Sequence, residues 1–140
     1  MKVFIDTNVL IYWVDAGPRA YVAEDLLAGD AVVCVQVLNE FANVLRKKRQ
    51  MPIAAVRELT GTLIATCEVA ELTVRTHQEA PNLAERYGFS VYNANIIAAA
   101  LGHGCEVVYS EDMQHGRAVS PVDGAVRKVS DGLSIRNPFH

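Results

Sequence analysis

Apolar residues along the chain form short blocks of two kinds, and the two kinds alternate. Four short segments are almost continuously apolar or alternate apolar with polar residues, which predicts strands over Val3–Ile5, Ala31–Val35, Val69–Val74 and Glu106–Tyr109. Longer segments with apolar residues at helical spacing predict helices over 9–14, 18–27, 36–49, 52–64, 76–87 and 91–101. Because strands alternate with helices, we predict a three-layer α/β domain with a central, mostly parallel sheet flanked by helices.

Several residues indicate where the predicted helices begin and end. Ser90 is a suitable N-cap for the helix over 91–101, which is apolar almost all round and should therefore be buried. Pro81 should lie near the start of the preceding helix or kink it. The chain after Met113 is predicted to be mostly loop, with weak strand signals near Val126–Val129.

Length and composition narrow the class of protein. The 140 residues suit one domain over 1–140, and the net charge of −3 means that any nucleic-acid contact must come from a local basic patch or from metal ions. Hydrophobic residues make up 51% of the chain, so some apolar surface is expected to meet another subunit or a partner. Three cysteines without a CxxC spacing, Cys34, Cys67 and Cys105, are expected to be buried free thiols. No apolar run approaches a membrane-spanning length, and a cytoplasmic location is expected.

Four polar residues stand where the predicted sheet would gather them. Asp6 follows the first strand, Asp112 follows the fourth, Glu40 lies early in the helix after the second, and Asn93 lies in the first turn of the buried helix. The carboxyl ends of parallel strands share one edge, which is where such folds bind ligands. Crowded carboxylates repel each other unless a divalent cation such as Mg²⁺ or Mn²⁺ is bound between them.

Each of these residues also has an ordinary structural explanation when it is taken alone. Asp6 and Asp112 could be helix-cap or loop residues, Glu40 could be a solvated helix residue, and Asn93 could be a capping-box partner of Ser90. The hypothesis of a metal site therefore depends on their joint placement at the strand ends.

Five segments resemble the motifs of one family in the order in which they occur, and the resemblance extends over nearly the whole chain. They are Asp6–Asn8, Val37–Phe41, Phe89–Ala100, Tyr109–Gly116 and Asn137–Phe139. Together they resemble PIN-domain ribonucleases, in the form common among VapC toxins. The resemblance implies a PIN-like α/β fold, dependence on Mg²⁺ or Mn²⁺, endonucleolytic cleavage of cellular RNA, and inhibition by a cognate VapB-like antitoxin. It also implies a homodimer. The catalytic residues that it implies are Asp6, Glu40, Asn93 and Asp112, of which Asp6, Glu40 and Asp112 would be metal ligands.

Position 93 departs from the family pattern, which has Asp where this chain has Asn93. Asn fits the same space but is uncharged and a poorer metal ligand. Either this copy of the protein is naturally weakened, or the position was altered to make a toxic protein harmless to its host. The sequence allows both explanations.

Two other classes of protein are alternatives to a nuclease. A catalytically silent PIN module that binds RNA or a protein partner is the main alternative. A phospho-receiver domain would need an acidic pair after the first strand and an Asp after the third, and the sequence has neither. The basic run Arg46–Arg49 is either a solvated helix end or a contact for the RNA backbone.

Overall fold

The computed structural model describes residues 1–122 and 132–139, and a sheet of six strands lies at its centre. The strands are β1 (Val3–Ile5), β2 (Ala31–Cys34), β3 (Glu68–Ala70), β4 (Val107–Tyr109), β5 (Ala118–Val119) and β6 (Leu133–Arg136). They lie in the order β3-β2-β1-β4-β6-β5. Neighbouring strands are parallel except for β5, which pairs antiparallel with β6. The predicted mostly parallel sheet is confirmed.

Helices occupy the segments between the strands. They are α1 (Thr7–Val14), α2 (Pro18–Leu27), α3 (Val35–Lys47), α4 (Ile53–Thr66), α5 (Val74–Tyr87) and α6 (Val91–Gly102). Helix α1 packs against α2 and α3, α3 packs against α4, and α5 packs against α6. The predicted α/β architecture with helices flanking the sheet is therefore confirmed.

Successive strands are added to the sheet first on one side of β1 and then on the other. All three residues of β1 are buried, and β1 pairs with β2 on one side and with β4 on the other. The chain builds β2 and β3 outward on the first side before it returns to place β4 on the second. Such a reversal opens a crevice at the carboxyl ends of the two strands beside it. In this protein the crevice lies beyond Ile5 and Tyr109.

Helix α6 supplies a large part of the core, as its apolar sequence predicts. Its residues 96–101 are all buried, and the helix packs closely against α5. Ser90 is its N-cap, with a side-chain hydroxyl that accepts a hydrogen bond of 3.1 Å from the backbone N–H of Asn93. Only the first turn is open to solvent at Val91 and Tyr92. The cap and the apolar run together fix where α6 begins.

The strand predicted over Val69–Val74 is wrong beyond Ala70. Strand β3 ends at Ala70, and α5 begins at Val74 rather than near Thr76. Thr73 and Thr76 form a capping box, in which each side-chain hydroxyl accepts a hydrogen bond from the other residue's backbone N–H. This local bonding satisfies the backbone as a helix start and competes with strand pairing.

Pro81 lies in the interior of α5, not near its start as one of the two predicted placements had it. A proline in this position cannot donate a hydrogen bond to the carbonyl of His77 four residues earlier. Both Pro81 and His77 are exposed, so water can reach that carbonyl. The buried side of the helix, at Ala80 and Leu83, is left intact.

The chain after Met113 contains two strands that the sequence analysis did not predict. Strand β6 joins the sheet beside β4, and β5 pairs with β6 at the sheet edge. The weak strand signals near Val126–Val129 lie outside the described residues. The interpretation of this segment as loop is therefore wrong for β5 and β6.

Two further expectations concern the cysteines and the membrane. Cys34, Cys67 and Cys105 are buried and form no disulfide, as predicted. Burial raises the pKa of Cys34 to about 11 and that of Cys105 to about 12, so both thiols are protonated at neutral pH. Within residues 1–122 and 132–139, no helix has the length and apolar character needed to cross a bilayer.

Replacing Ile97 by Ala tests how much α6 contributes to the core. Ile97 is fully buried, so Ile97→Ala should lower the free energy of unfolding by about 2–5 kcal/mol, through lost apolar burial and the cavity left behind. The matched control is Val91→Ala on the same helix, where half of the side chain is exposed and the change should stay within about 0.5 kcal/mol. Urea unfolding measures both, and equal losses would contradict a buried α6.

Candidate active site

Asp6 lies at the carboxyl end of β1, in the crevice, and begins α1 as its N-cap. Its backbone N–H donates to the carbonyl of Tyr109 over 3.0 Å, which extends the pairing of β1 with β4 by one residue. Its Oδ1 accepts a hydrogen bond of 2.8 Å from the backbone N–H of Thr7. The side chain is buried. The sheet and the helix cap thus fix the position and orientation of this carboxylate.

Burial is the main influence on the pKa of Asp6. It raises the pKa above the ordinary value, and the negative charges of Glu40 and Asp112 raise it further. Hydrogen bonds from Ser110 and the backbone of Thr7 act in the opposite direction. Ionised Asp6 is therefore in an unfavourable electrostatic environment that a nearby cation would improve.

Ser110 and Asn8 connect Asp6 to Asp112. The Ser110 hydroxyl donates to Oδ2 of Asp6 over 2.8 Å and accepts from the backbone N–H of Asp112 over 3.2 Å. The amide nitrogen of Asn8 lies 3.2 Å from Oδ2 of Asp6 and 3.2 Å from Oδ2 of Asp112, and can donate to both. Its amide oxygen accepts a bond of 2.9 Å from the backbone N–H of Glu111. Asn8 therefore ties the start of α1 to the loop after β4.

Glu40 joins the same network from α3. Its Oε2 accepts a hydrogen bond of 2.8 Å from the hydroxyl of Thr7, and its Oε1 accepts one of 3.2 Å from the amide of Gln36. Thr7 is buried and Glu40 is half-buried. The structure thus brings Asp6, Glu40 and Asp112 into one region, with neighbouring polar side chains between them.

In the part of the chain that the structure describes, Asn93 takes no part in this hydrogen-bonded network. Its backbone N–H bonds to Ser90, and the side chain is half-buried. A connection nearby is made by Gln36, whose amide contacts both Glu40 and, at 3.5 Å, the carbonyl of Tyr92. Among the described residues, no hydrogen bond joins the side chain of Asn93 to Asp6, Glu40 or Asp112.

A cavity of about 550 Å³ opens over the network. It is lined by Thr7, Asn8, Ile11, Tyr12, Asp15, Glu40, Asn43, Val44, Lys48, Arg49, Glu111 and Asp112. Asp6 and Asn93 are not part of this lining. Two of the three predicted acidic ligands, Glu40 and Asp112, therefore face the cavity directly.

Glu111 has partners of its own at the rim of the cavity. Its Oε1 accepts a hydrogen bond of 3.3 Å from the hydroxyl of Tyr12 and lies 3.6 Å from the guanidinium of Arg19. Arg19 also donates to the Tyr12 hydroxyl over 2.7 Å and lies over the rings of Tyr12 and Phe139. This aromatic and basic group holds Glu111 against α1, and sequence analysis did not find it.

The site fits a divalent cation in its chemistry, although its acids do not form a closed cage. Among residues 1–122 and 132–139, no group of three or more His, Cys, Asp or Glu side chains is close enough together to hold an ion. The acidic donors Asp6, Glu40 and Asp112 are all carboxylates, the type of ligand that Mg²⁺ and Mn²⁺ prefer. Burial, with a smaller contribution from the charges of Glu40 and Asp112, raises the pKa of Asp6, and a bound cation would favour its ionised form.

Several solved structures are similar to this chain, and their low sequence identities establish likeness of fold alone. The Mycobacterium tuberculosis toxin VapC20, which cleaves the sarcin–ricin loop, is 20% identical, with a TM-score of 0.61 over 79% of this chain and 89% of that one. A toxin–antitoxin complex from Klebsiella pneumoniae is 17% identical, with a TM-score of 0.66 over 99% and 98%. VapBC2 of Rickettsia felis, bound to promoter DNA, is 13% identical, with a TM-score of 0.60 over 80% and 89%.

Sequence comparison agrees with the fold. No curated protein matches the chain with significance. The family model of the PIN domain matches residues 3–119 of the sequence. This range is most of the chain and includes Asp6, Glu40, Asn93 and Asp112. Because this match covers most of the chain, the chain belongs to the PIN-domain family. The sheet order and the crevice beyond β1 and β4 are consistent with that assignment.

Proposed function

We propose that this protein is a metal-dependent endoribonuclease of the VapC toxin type, which cleaves cellular RNA and is weakened by Asn93. The observation that carries the proposal is the polar network at the crevice, in which Ser110 and Asn8 hold Asp6 beside Asp112. Thr7 brings Glu40 to the same region. The likeness to the fold of VapC toxins supports this choice of reaction.

Asp6, Glu40 and Asp112 are the residues that would hold Mg²⁺ or Mn²⁺. When bound, the ion would activate water and stabilise negative charge on the phosphoryl oxygens of RNA. Thr7 orients Glu40, and Ser110 orients Asp6 through hydrogen bonds of 2.8 Å each. Neighbours that fix ligand orientation in this way raise metal affinity. Glu40 and Asp112 are accessible enough to adjust their side chains towards an ion.

Asn93 reduces the negative charge that the site can offer. A carboxylate at this position would be ionised at neutral pH. Two unit charges 4 Å apart attract by about 4 kcal/mol at an effective dielectric near 20, and a divalent ion would be attracted about twice as strongly. Water and the three remaining acids would recover part of that loss. We therefore expect weak metal occupancy and little cleavage by the chain as written.

The same residue favours a second function, a catalytically silent PIN module that binds RNA or a protein. The separation of the acids supports it too, because among the described residues they form no preassembled ion site. The two functions differ in one respect: a weakened enzyme gains activity when the acid is restored, and a binding module does not.

An antitoxin and a second copy of the chain are the proposed protein partners. One of the similar structures is a toxin–antitoxin complex that matches nearly the whole chain. Val91 and Tyr92 expose half or more of their surface at the start of α6, and Val35 is exposed at the start of α3. Exposed apolar side chains of this kind are suited to an interface. We propose a homodimer in the cytoplasm whose cavity the antitoxin covers.

Restoring the acid is the direct test of the proposed function. Asn93→Asp should bind Mn²⁺ more tightly in calorimetry and should cleave total RNA faster than the chain as written, because it returns one negative charge to the site. Adding Asp6→Asn to this variant should abolish the cleavage. Equal metal affinity and equal activity in Asn93→Asp and in the chain as written would show that position 93 does not belong to the metal site.

Replacing Ser110 by Ala tests the network without metal. Ser110 is buried and bonds to Asp6, so Ser110→Ala should lower the free energy of unfolding by about 1–3 kcal/mol. The folded-state pKa of Asp6 is raised, so its ionisation costs stability as the pH rises above the unfolded value of 3.8, and the bond from Ser110 limits that cost. The loss in Ser110→Ala should therefore be larger at pH 7.5 than near pH 4.

Urea unfolding in EDTA at both pH values measures this difference. Ser134→Ala is the matched control, because Ser134 is half-buried in β6 and lies outside the network. An equal loss in Ser110→Ala at the two pH values would mean that Ser110 does not stabilise ionised Asp6.

Light scattering tests the proposed assembly. The purified chain should have the mass of a dimer, and a larger complex should form when the antitoxin is added. Asn93→Asp should give the same masses, since the change lies at the metal site and leaves the exposed apolar residues in place. A strictly monomeric chain at high concentration that gains no mass with antitoxin would contradict both partners.

A further inference from the structure

The cavity over the polar network has a basic end, opposite its acidic one. Among its lining residues the cationic side chains are Lys48 and Arg49, which follow the last turn of α3. They belong to the basic run Arg46–Arg49, but the run is not uniform. Arg46 donates to the carbonyl of Met51 over 3.0 Å, and Lys47 is exposed without lining the cavity. The fold thus presents two of four neighbouring cations to one cavity.

Helix α3 runs from the acidic end of the cavity to the basic end. Glu40 and Lys48 are eight residues apart on that helix, which corresponds to about 12 Å along its axis. Ile11, Asn43 and Val44 line the space between them and carry no charge. A ligand that spans the cavity would therefore meet carboxylates at one end and an uncharged middle. At the other end it would meet Lys48 and Arg49, together with the carboxylate of Asp15 that Arg49 binds.

The two cations differ in how firmly they are held. Arg49 forms two hydrogen bonds to the carboxylate of Asp15, of 3.1 and 2.8 Å, and both partners are more than a third exposed. Exposed ion pairs of this kind contribute little to stability, so a phosphate could compete with Asp15 for the guanidinium of Arg49. Lys48 is exposed and makes no ion pair within the part of the chain that the structure describes. Its charge is therefore available to a ligand.

We propose that Lys48 and Arg49 form a binding subsite for the phosphate backbone of single-stranded RNA, beside the nucleotide whose bond is cleaved at the acidic end. That the nucleic acid is RNA rests on the proposed function. A protein with a net charge of −3 does not attract a polyanion as a whole, so a local cationic pair is needed to hold the strand. The spacing along α3 places this pair beyond the reacting phosphate, where it binds without entering the reaction.

Lys48→Gln and Lys47→Gln form a matched pair that tests the subsite. Both remove one positive charge from adjacent exposed positions, but only Lys48 lines the cavity. Fluorescence anisotropy of a short unstructured RNA, with the chain as written in EDTA over a range of salt concentrations, measures affinity without cleavage. Lys48→Gln should weaken binding severalfold and reduce the slope of log affinity against log salt by about 0.7, the loss of one phosphate contact. Lys47→Gln should leave the RNA affinity and the salt slope nearly unchanged. Lys48→Arg keeps the positive charge and should therefore retain the affinity and the slope of the chain as written.

Three results would overturn the subsite: no RNA binding by the chain at low salt, equal losses in both Gln variants, or no loss in Lys48→Gln. The proposed function is tested separately by cleavage in the Asn93→Asp background. If Asn93→Asp fails to cleave while Lys48→Gln still weakens binding, the nuclease function is wrong and the subsite stands. If Asn93→Asp cleaves, Lys48→Gln in that background should raise KM with little change in kcat. An unchanged KM there would remove Lys48 from substrate binding and leave the nuclease function intact.

Discussion

Burial of the Asp6 carboxylate is the constraint on which the architecture of the site depends. A carboxylate taken out of water must have its oxygens hydrogen-bonded, or its charge becomes too costly to keep. Here the donors come from Thr7 on one side and from Ser110 and Asn8 on the other. Ser110 can reach Asp6 only because β1 and β4 are neighbours in the sheet, although the residues are 104 apart in the chain. The acidic site therefore depends on the strand order, because the pairing of β1 with β4 brings Ser110 to Asp6.

Local patterns were enough to predict most of the fold, and non-local pairing explains what they missed. The capping side chain of Ser90 and the apolar run after it act within one helix, so sequence alone located α6. Strand β6 alternates buried Leu133 and Ile135 with more exposed neighbours, yet four residues of alternation are a weak signal. Its place is decided by pairing with β4, more than twenty residues earlier, and such a partner cannot be read from a short segment.

The candidate site shows the same division. That Asp6, Glu40 and Asp112 lie in one region could be anticipated from parallel strands, whereas their role as metal ligands, and that of Asn93, stays a prediction. Sequence analysis treated Asn8 only as part of the Asp6–Asn8 motif. Its amide bridges Asp6 and Asp112 because the loop after β4 folds back over the start of α1, which no local pattern specifies. The signal available was its position two residues after a strand-end Asp.

From the position of residue 93 we expect the fold to accept Asp there as well as Asn. Residue 93 lies in the first turn of α6, which has no acidic residue, and a carboxylate at a helix N-terminus gains about 0.3–1 kcal/mol from the helix dipole. Under the proposed function, the same carboxylate would also be repelled by Asp6, Glu40 and Asp112 when no metal is bound, by an amount that solvent reduces. These effects oppose each other and neither is large, while the cap by Ser90 uses the backbone N–H of residue 93 and is indifferent to its side chain. Under the proposed function, the charge at this position therefore bears mainly on metal binding, whereas the stability of α6 rests on its buried apolar face.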